Sequence, residues 1–226
     1  MDRSHRHGRT GVSTCTVVNG LRVSRSGRIM QIAIFTGSAS GHSPVFAEGV
    51  ATLARTLAEQ GIGIVYGGGN VGLMGIIATE ALSHGGAVIG VIPGSLVDRE
   101  LAHPDLTRLE IVETMHERKA RMAELSDAFI ALPGGTGTLE EFFEVWTWQQ
   151  LGIHNKPVAL YNVDGFWDPL IAMIYASVDA GFLRGVYRDA LIISDNAQDL
   201  LNQLSIWKPA PQKWHAEIST DVVPLP

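Results

Sequence analysis

The run Asp127–Glu141 constrains this chain more than any other stretch. It reads Asp-Ala-Phe-Ile-Ala-Leu-Pro-Gly-Gly-Thr-Gly-Thr-Leu-Glu-Glu. Ala128–Leu132 is continuously apolar, as a strand buried on both faces of a parallel sheet must be. Pro133 and three glycines end it, and Thr138-Leu-Glu-Glu opens a helical pattern. Strand, glycine turn and helix start together aim backbone N–H groups and the positive end of a helix dipole at one spot, an arrangement suited to phosphate. Glycine is expected in the turn because a Cβ would obstruct both positive φ angles and the close approach of an anion. With the helix opening at Thr138, Glu140 and Glu141 fall in its first turn, where carboxylates also suit the dipole. Glu140 is therefore explained equally well as a plain helix-start residue.

The rest of the chain alternates strand and helix. Gln31–Thr36 is a first strand and ends in the small, polar Gly37-Ser-Ala-Ser-Gly41, the composition of a ligand-facing turn. Pro44–Gln60 is helical, with Phe46, Val50, Leu53, Ala54 and Leu57 on one face. Ile62–Tyr66 is a second strand. Gly67, Gly69 and Gly72 after it match G-x-G-x-x-G literally, yet the acidic residue that grips a ribose in dinucleotide sites is missing from Ala87–Ile92. The loop, Gly68 and Gly69 included, is read instead as a mononucleotide cradle. A helix follows over Leu73–His84, and its Glu80 falls by pattern on the solvated face. Ala87–Ile92 is a third strand and Pro93–Pro104 a polar connection. Leu109–Val112 is a short apolar piece, and Met115–Leu125 a helix carrying Arg118, Lys119 and Arg121. Strands at Pro157–Tyr161 and Leu191–Ile193 and helices at Phe166–Asp179 and Ala197–Leu204 complete the pattern. Phe142, Phe143, Val145, Trp146 and Trp148 cover more than one face of the helix after the glycine turn, which suits core or subunit contact.

This order predicts an α/β fold: one Rossmann-like, doubly wound parallel sheet with helices on both faces. The domain is expected over residues 30–207, with an extension at 1–29 and a tail of little fixed structure at 208–226. The extension holds six arginines and one acid, and is read as disordered or as sequence upstream of the true start, dispensable for activity. It carries +5 within a chain of net charge −6, leaving the body at −11, which argues against nucleic-acid binding. No apolar run is long enough for a membrane helix. The single cysteine, Cys15, suits a reducing, cytoplasmic compartment. The scattered histidines predict no metal, and no cofactor is expected.

Pro133–Glu141 fits the PGGxGTxxE signature of the LOG family, the cytokinin-activating phosphoribohydrolases often labelled lysine decarboxylases. The resemblance extends over nearly all of Met30–Leu204. It is carried also by Tyr66-Gly-Gly-Gly-Asn-Val-Gly-Leu-Met-Gly75, Gly90-Val-Ile-Pro93, Met115-His-Glu-Arg-Lys119 and Thr147-Trp-Gln-Gln-Leu-Gly152. It implies hydrolysis of the N-glycosidic bond of a nucleoside 5′-monophosphate with an N6-isoprenoid adenine, and a homodimer. It places the catalytic residues on Arg118 and Glu141. Substrate-binding positions fall on Glu80, Arg118, Lys119, Gly135, Thr136, Gly137, Thr138, Leu139, Glu140, Glu141 and Thr147, with Gly37 and Ser38 beside the first turn.

The implied chemistry is coherent. Breaking an N-glycosidic bond passes through an oxocarbenium-like state that a carboxylate stabilises directly or by orienting water. An arginine would hold phosphate or sugar, or steady the departing base. Thr147, six residues past Glu141, points about 120° away on an ideal helix, so its part involves a helix bend or another subunit. The competing readings are a general nucleoside-monophosphate nucleosidase and a non-catalytic nucleotide carrier; a carrier would have no need of Glu141 beside an anion. Lysine decarboxylation would require a Schiff-base lysine, and Lys119, Lys156, Lys208 and Lys213 sit in no such setting.

Overall fold

The computed structural model describes residues 16–18, 21–23, 30–97 and 102–213. Two short strands, β1 (Thr16–Val18) and β2 (Leu21–Val23), pair antiparallel within the N-terminal extension, where no strand was expected; the other residues of that extension lie outside the described ones.

The main sheet comprises β3 (Gln31–Phe35), β4 (Gly63–Tyr66), β5 (Val88–Pro93), β6 (Arg108–Val112), β7 (Ala128–Ala131), β8 (Val158–Tyr161) and β9 (Ile192–Ser194). Every pairing is parallel and the order is β6-β5-β4-β3-β7-β8-β9. Successive strands step outward from β3 as far as β6, then the chain returns to lay β7 on the other side of β3. The winding thus reverses between β3 and β7, and in open α/β sheets ligands bind at the carboxyl ends of the strands where that happens. Asp127 ties the opposite ends of this central pair, its Oδ2 accepting from Gln31 N (2.9 Å) and its N–H donating to Gln31 O (2.7 Å).

Helices α1 (Pro44–Glu59), α2 (Gly72–Ser83), α3 (Met115–Leu125), α4 (Thr136–Leu151), α5 (Asp168–Asp179), α6 (Gly185–Ala190) and α7 (Ala197–Ile206) flank it. Residues of α1, α2 and α7 close one apolar core against one face of the sheet, and α3, α4 and α5 close a second core against the other. On α1, Val50, Leu53, Ala54 and Leu57 are fully buried, the stripe that the helical spacing demands.

Three local readings change. Arg108–Val112 is a full strand: it is an exposed sheet edge, with Ile111 64% exposed, so charged residues alternate with apolar ones and the buried-strand signature is lost. The six-residue α6 is too short to show a period. The segment from Lys208 is anchored as far as Lys213, whose N–H donates to Gln150 O (3.0 Å), while the Gln212 side chain lies against Gly152, the left-handed cap of α4.

That end of α4 is held by His154. Its Nε2 donates to Val145 O (2.9 Å), its Nδ1 accepts from Lys156 N (3.2 Å), and its ring packs 5.0 Å from that of Phe129. Both nitrogens are used by the neutral ring. Burial, partly opposed by the Val145 bond and reinforced by the charge of Lys156, pulls its pKa to about 4. An unfolded chain takes up this proton near the ordinary histidine value and the folded one only near 4. Stability is therefore highest above pH 6.5 and is lost as pH falls from 6.5 to 4. Urea midpoints measured across that window should fall, and fall less in His154→Gln; parallel curves for the two proteins would contradict this account.

Candidate active site

The glycine turn lies at the β3/β7 reversal. Gly37 N donates to Pro133 O (3.1 Å), as does Thr36 Oγ1 (3.1 Å), so the loops after the two strands are bound to each other. A Cβ on Gly134 would stand 2.1 Å from Thr138 Oγ1 and 2.9 Å from Gly37 N, so only glycine allows this approach. A Cβ on Gly135 or Gly137 would meet nothing within 4 Å. None of the three has a positive φ. The expectation that the turn needs glycine for its backbone angles is therefore corrected. One glycine serves the packing of the two loops, and two leave open space at the helix end.

α4 begins at Thr136, with Gly135 as an N-cap that offers no side-chain acceptor. The first N–H groups of a helix have no intrahelical partner; here Thr136, Gly137 and Thr138 present them beside that open space, with the dipole behind. The earlier start also moves Glu140 and Glu141 into the second turn, and no acid lies in the first. Neither carboxylate is there to serve the helix start.

Glu140 and Glu144 turn instead to α3. Thr114 caps that helix by accepting from Glu117 N (3.1 Å), and Glu117 reaches back to Glu113 N (3.0 Å), which fixes where Arg118 and Lys119 fall. Lys119 Nζ bonds Glu140 (2.5 Å) and Glu144 (3.0 Å) with its side chain 9% exposed. Burial works against the ammonium, but the two carboxylates outweigh it and hold its pKa above the usual lysine range. This ion triad fastens α3 to α4.

Arg118 is buried, with its guanidinium over the end of β4: a Cβ on Gly67 would stand 1.8 Å from its Nη2. Its Nη1 lies 3.7 Å from Met115 Sδ. At about 100° per residue, Glu141 falls some 60° from Thr138, which faces the sheet, and some 60° from Glu144, which faces α3. It is half-buried and is directed into the angle between α3 and the strand ends, the side on which Arg118 lies. Thr138 is buried and Leu139 partly so, and Thr136 is exposed at the mouth.

The remaining predicted positions are spread more widely. Gly37 is buried in the reversal, and the Ser38 backbone lies so close to Gly72 that a Cβ there would stand 2.4 Å from it. Gly68 and Gly69 are buried under a strap: His103 N donates to Gly68 O (3.0 Å), and Gly69 bridges Ala102. This part of the loop is a covered turn over β5, where Gly90 leaves room for it. Glu80 lies two turns along α2, ion-paired with Arg55 (2.8 Å), beside an open depression of about 350 Å³. Thr147 is exposed on the outer side of α4, opposite the sheet-facing Thr138. Glu80 and Thr147 thus stand on helices of opposite sheet faces, and neither meets the Arg118–Glu141 cleft within one chain. Sequence reasoning missed Glu144 and the Gly67 seat of Arg118. The four-residue spacing of Glu140 and Glu144, both to be matched by one lysine, was the available signal.

A family model described as "Possible lysine decarboxylase" matches residues 74–204. The cytokinin riboside 5′-monophosphate phosphoribohydrolase LOG7 of Arabidopsis thaliana is 48% identical over 80% of this chain and 84% of its own. The phosphoribohydrolase LOG of Oryza sativa subsp. japonica is 46% identical over 82% of this chain and 76% of its own. The chain belongs to the LOG family. Among solved structures, the molybdenum cofactor binding protein of Rippkaea orientalis superposes with a TM-score of 0.59 at 22% identity, over 77% of this chain and 94% of that one. The molybdenum cofactor carrier protein of Chlamydomonas reinhardtii does so with 0.58 at 19%, over 78% and 98%. At such identities these two establish the shared fold and nothing about ligands. The decarboxylase label finds no support in the lysines of this LOG protein: Lys119 is locked between two carboxylates, and Lys156 Nζ donates to Ala123 O (2.7 Å).

Two glycine variants separate packing from binding. Gly134→Ala should destabilise the fold by about 2 kcal/mol through overpacking. Gly137→Ala should leave the melting temperature unchanged or higher and weaken AMP binding at least about tenfold, because the methyl group occupies the anion's space. Calorimetric titration and thermal melts of both variants check this, and undiminished AMP binding by Gly137→Ala would remove the phosphate assignment.

Proposed function

We propose that this LOG protein hydrolyses the N-glycosidic bond of N6-isoprenoid adenosine 5′-monophosphates, releasing the free cytokinin base and ribose 5-phosphate. The observation that carries the reading is one juxtaposition: an uncapped, glycine-lined helix N-terminus next to a buried arginine, with a half-buried glutamate directed to the same side. The helix end takes the 5′-phosphate. The ribose then extends toward Glu141, whose carboxylate stabilises positive charge building on C1′ or orients the attacking water. The C1′–N9 bond breaks with its electron pair leaving on the base, the water oxygen bonds C1′, and the water proton balances the charge on the departing base. Arg118 supplies a fixed cation for phosphate or sugar oxygens, and the Lys119–Glu140–Glu144 triad holds α3 and α4 at the separation this requires. Lys119 is on this account a positioning residue.

The protein acts as a homodimer in this proposal, in the cytoplasm that its single cysteine suits. Thr147 and the exposed Phe143, Leu151 and Ile153 stand along the outer side and end of α4. Burial of this side against a second copy is the route by which Thr147 reaches a ligand, since within one chain it stands on the outer side of α4, away from the Arg118–Glu141 cleft.

Glu141→Gln preserves shape and removes the charge, so kcat should fall at least about 100-fold with an unchanged melting temperature. Arg118→Lys keeps a cation but loses the planar fork over Gly67 and should also cost at least about tenfold in kcat/KM. Release of free base followed by chromatography reads both; near-wild-type turnover by Glu141→Gln would dismiss the mechanism.

A further inference from the structure

The glycine turn that seats Arg118 is itself held in place by the strap at 102–105. From the end of β4, Tyr66 Oη donates to Gly69 O (3.1 Å). The strap adds two main-chain links, from His103 N to Gly68 O (3.0 Å) and across the Gly69–Ala102 bridge. Gly68 and Leu106, the residue after the strap, both rest on Gly90, where a Cβ would stand 2.8 Å from Gly68 Cα and 2.6 Å from Leu106 Cδ1. Pro104 and Asp105 are exposed, and His103, at 7%, is the one buried side chain of the strap. The proposed chemistry makes no use of it.

The His103 ring is nonetheless fully engaged. Its Nδ1 accepts from Asp105 N (3.2 Å), which puts the ring proton on Nε2, and Nε2 donates to Thr79 Oγ1 (3.1 Å) on α2. One residue thus joins three pieces of the molecule: the strap by its Nδ1, the glycine turn by its main-chain N–H, and α2 by its Nε2. The turn so held is the floor on which a functional group lies. Arg118 Nη2 stands 1.8 Å from where a Cβ on Gly67 would be, so the guanidinium rests directly on the backbone of the residue before Gly68. A shift of that turn moves the guanidinium or opens a gap beneath it, and a misplacement of about 1 Å at a reacting site can cost about 100-fold in rate.

We infer that His103 is a positioning residue: by docking the strap to α2 through Thr79 it fixes the Gly67–Gly69 turn, and with it the guanidinium of Arg118. The inference rests on the proposed function for what Arg118 contacts.

A double-mutant cycle with Arg118 tests it, because a residue that serves only the stability of the fold would lower affinity equally whether or not Arg118 is present. AMP is titrated calorimetrically into the full chain and into His103→Ala and Thr79→Val, each alone and combined with Arg118→Ala, below the melting temperature of every variant. AMP binding needs no hydrolysis. Thr79 is exposed and valine keeps its shape, so Thr79→Val carries the cycle should His103→Ala not fold. His103→Gln retains an N–H in reach of Thr79 and serves as the rescue. Each single variant should weaken AMP binding by at least about fivefold, the same change on the Arg118→Ala background should cost less than about twofold, and His103→Gln should stay within about twofold of wild type. Equal losses on both backgrounds, or no loss in either single variant, overturns the inference. A non-additive cycle in a protein that releases no base from any nucleotide would retain the inference and discard the proposed reaction.

Discussion

The mutual grip of the loops after β3 and β7 is the constraint on which the rest depends. Gly37 N and Thr36 Oγ1 both close on Pro133 O, and Gly134 has no side chain because Thr138 Oγ1 and Gly37 N occupy the place where one would be. That contact is made where the winding of the sheet reverses, so it sets the floor of the crevice. It also fixes the first residue of α4, and with it the direction in which three free N–H groups point. Everything chemical is placed by reference to that helix. Steps of three residues turn the helix face from Thr138 on the sheet, through Glu141 in the angle between, to Glu144 on α3.

The second constraint is electrostatic. Lys119 is buried between two carboxylates, an arrangement whose desolvation cost is offset only because both acids reach it from α4. The consequence is geometric: α3 cannot slide along α4 without breaking it, and Arg118, one residue earlier, keeps its seat over Gly67. The body of the protein is strongly acidic, and its fixed cations near the strand ends are set where an anionic ligand would otherwise be repelled.

Much of this was legible in the sequence, and what was not has physical reasons. The buried strands announced themselves as unbroken apolar runs, and the glycine turn located the crevice. From composition alone the helix start falls two residues late, because Thr136-Gly-Thr138 reads as loop, whereas α4 begins at Thr136. That displacement changed the meaning of Glu140, from a helix-start acid to a partner of Lys119. The edge strand β6 was invisible as a strand because its exposure removes the apolar signature. Glu80 and Thr147 were assigned by resemblance alone, and the fold accounts for the difficulty in joining them to the site: they stand on opposite faces of the sheet. In sequence Phe166 reads as the start of a helix; in the structure Asp164 (φ 51°) and Gly165 (φ 71°) form a turn that sets its ring against Phe46.

Release of free base from isopentenyladenosine monophosphate, run beside AMP and the unphosphorylated nucleoside isopentenyladenosine, tests the central claim most directly. An anchor formed by the start of α4 and a reaction centre at Glu141 predict rapid release from the prenylated monophosphate, slower release from AMP, and almost none from the nucleoside, which has no phosphate to hold. Comparable rates on the nucleoside would contradict the phosphate anchor, and no release from any of the three would contradict the assignment as a hydrolase.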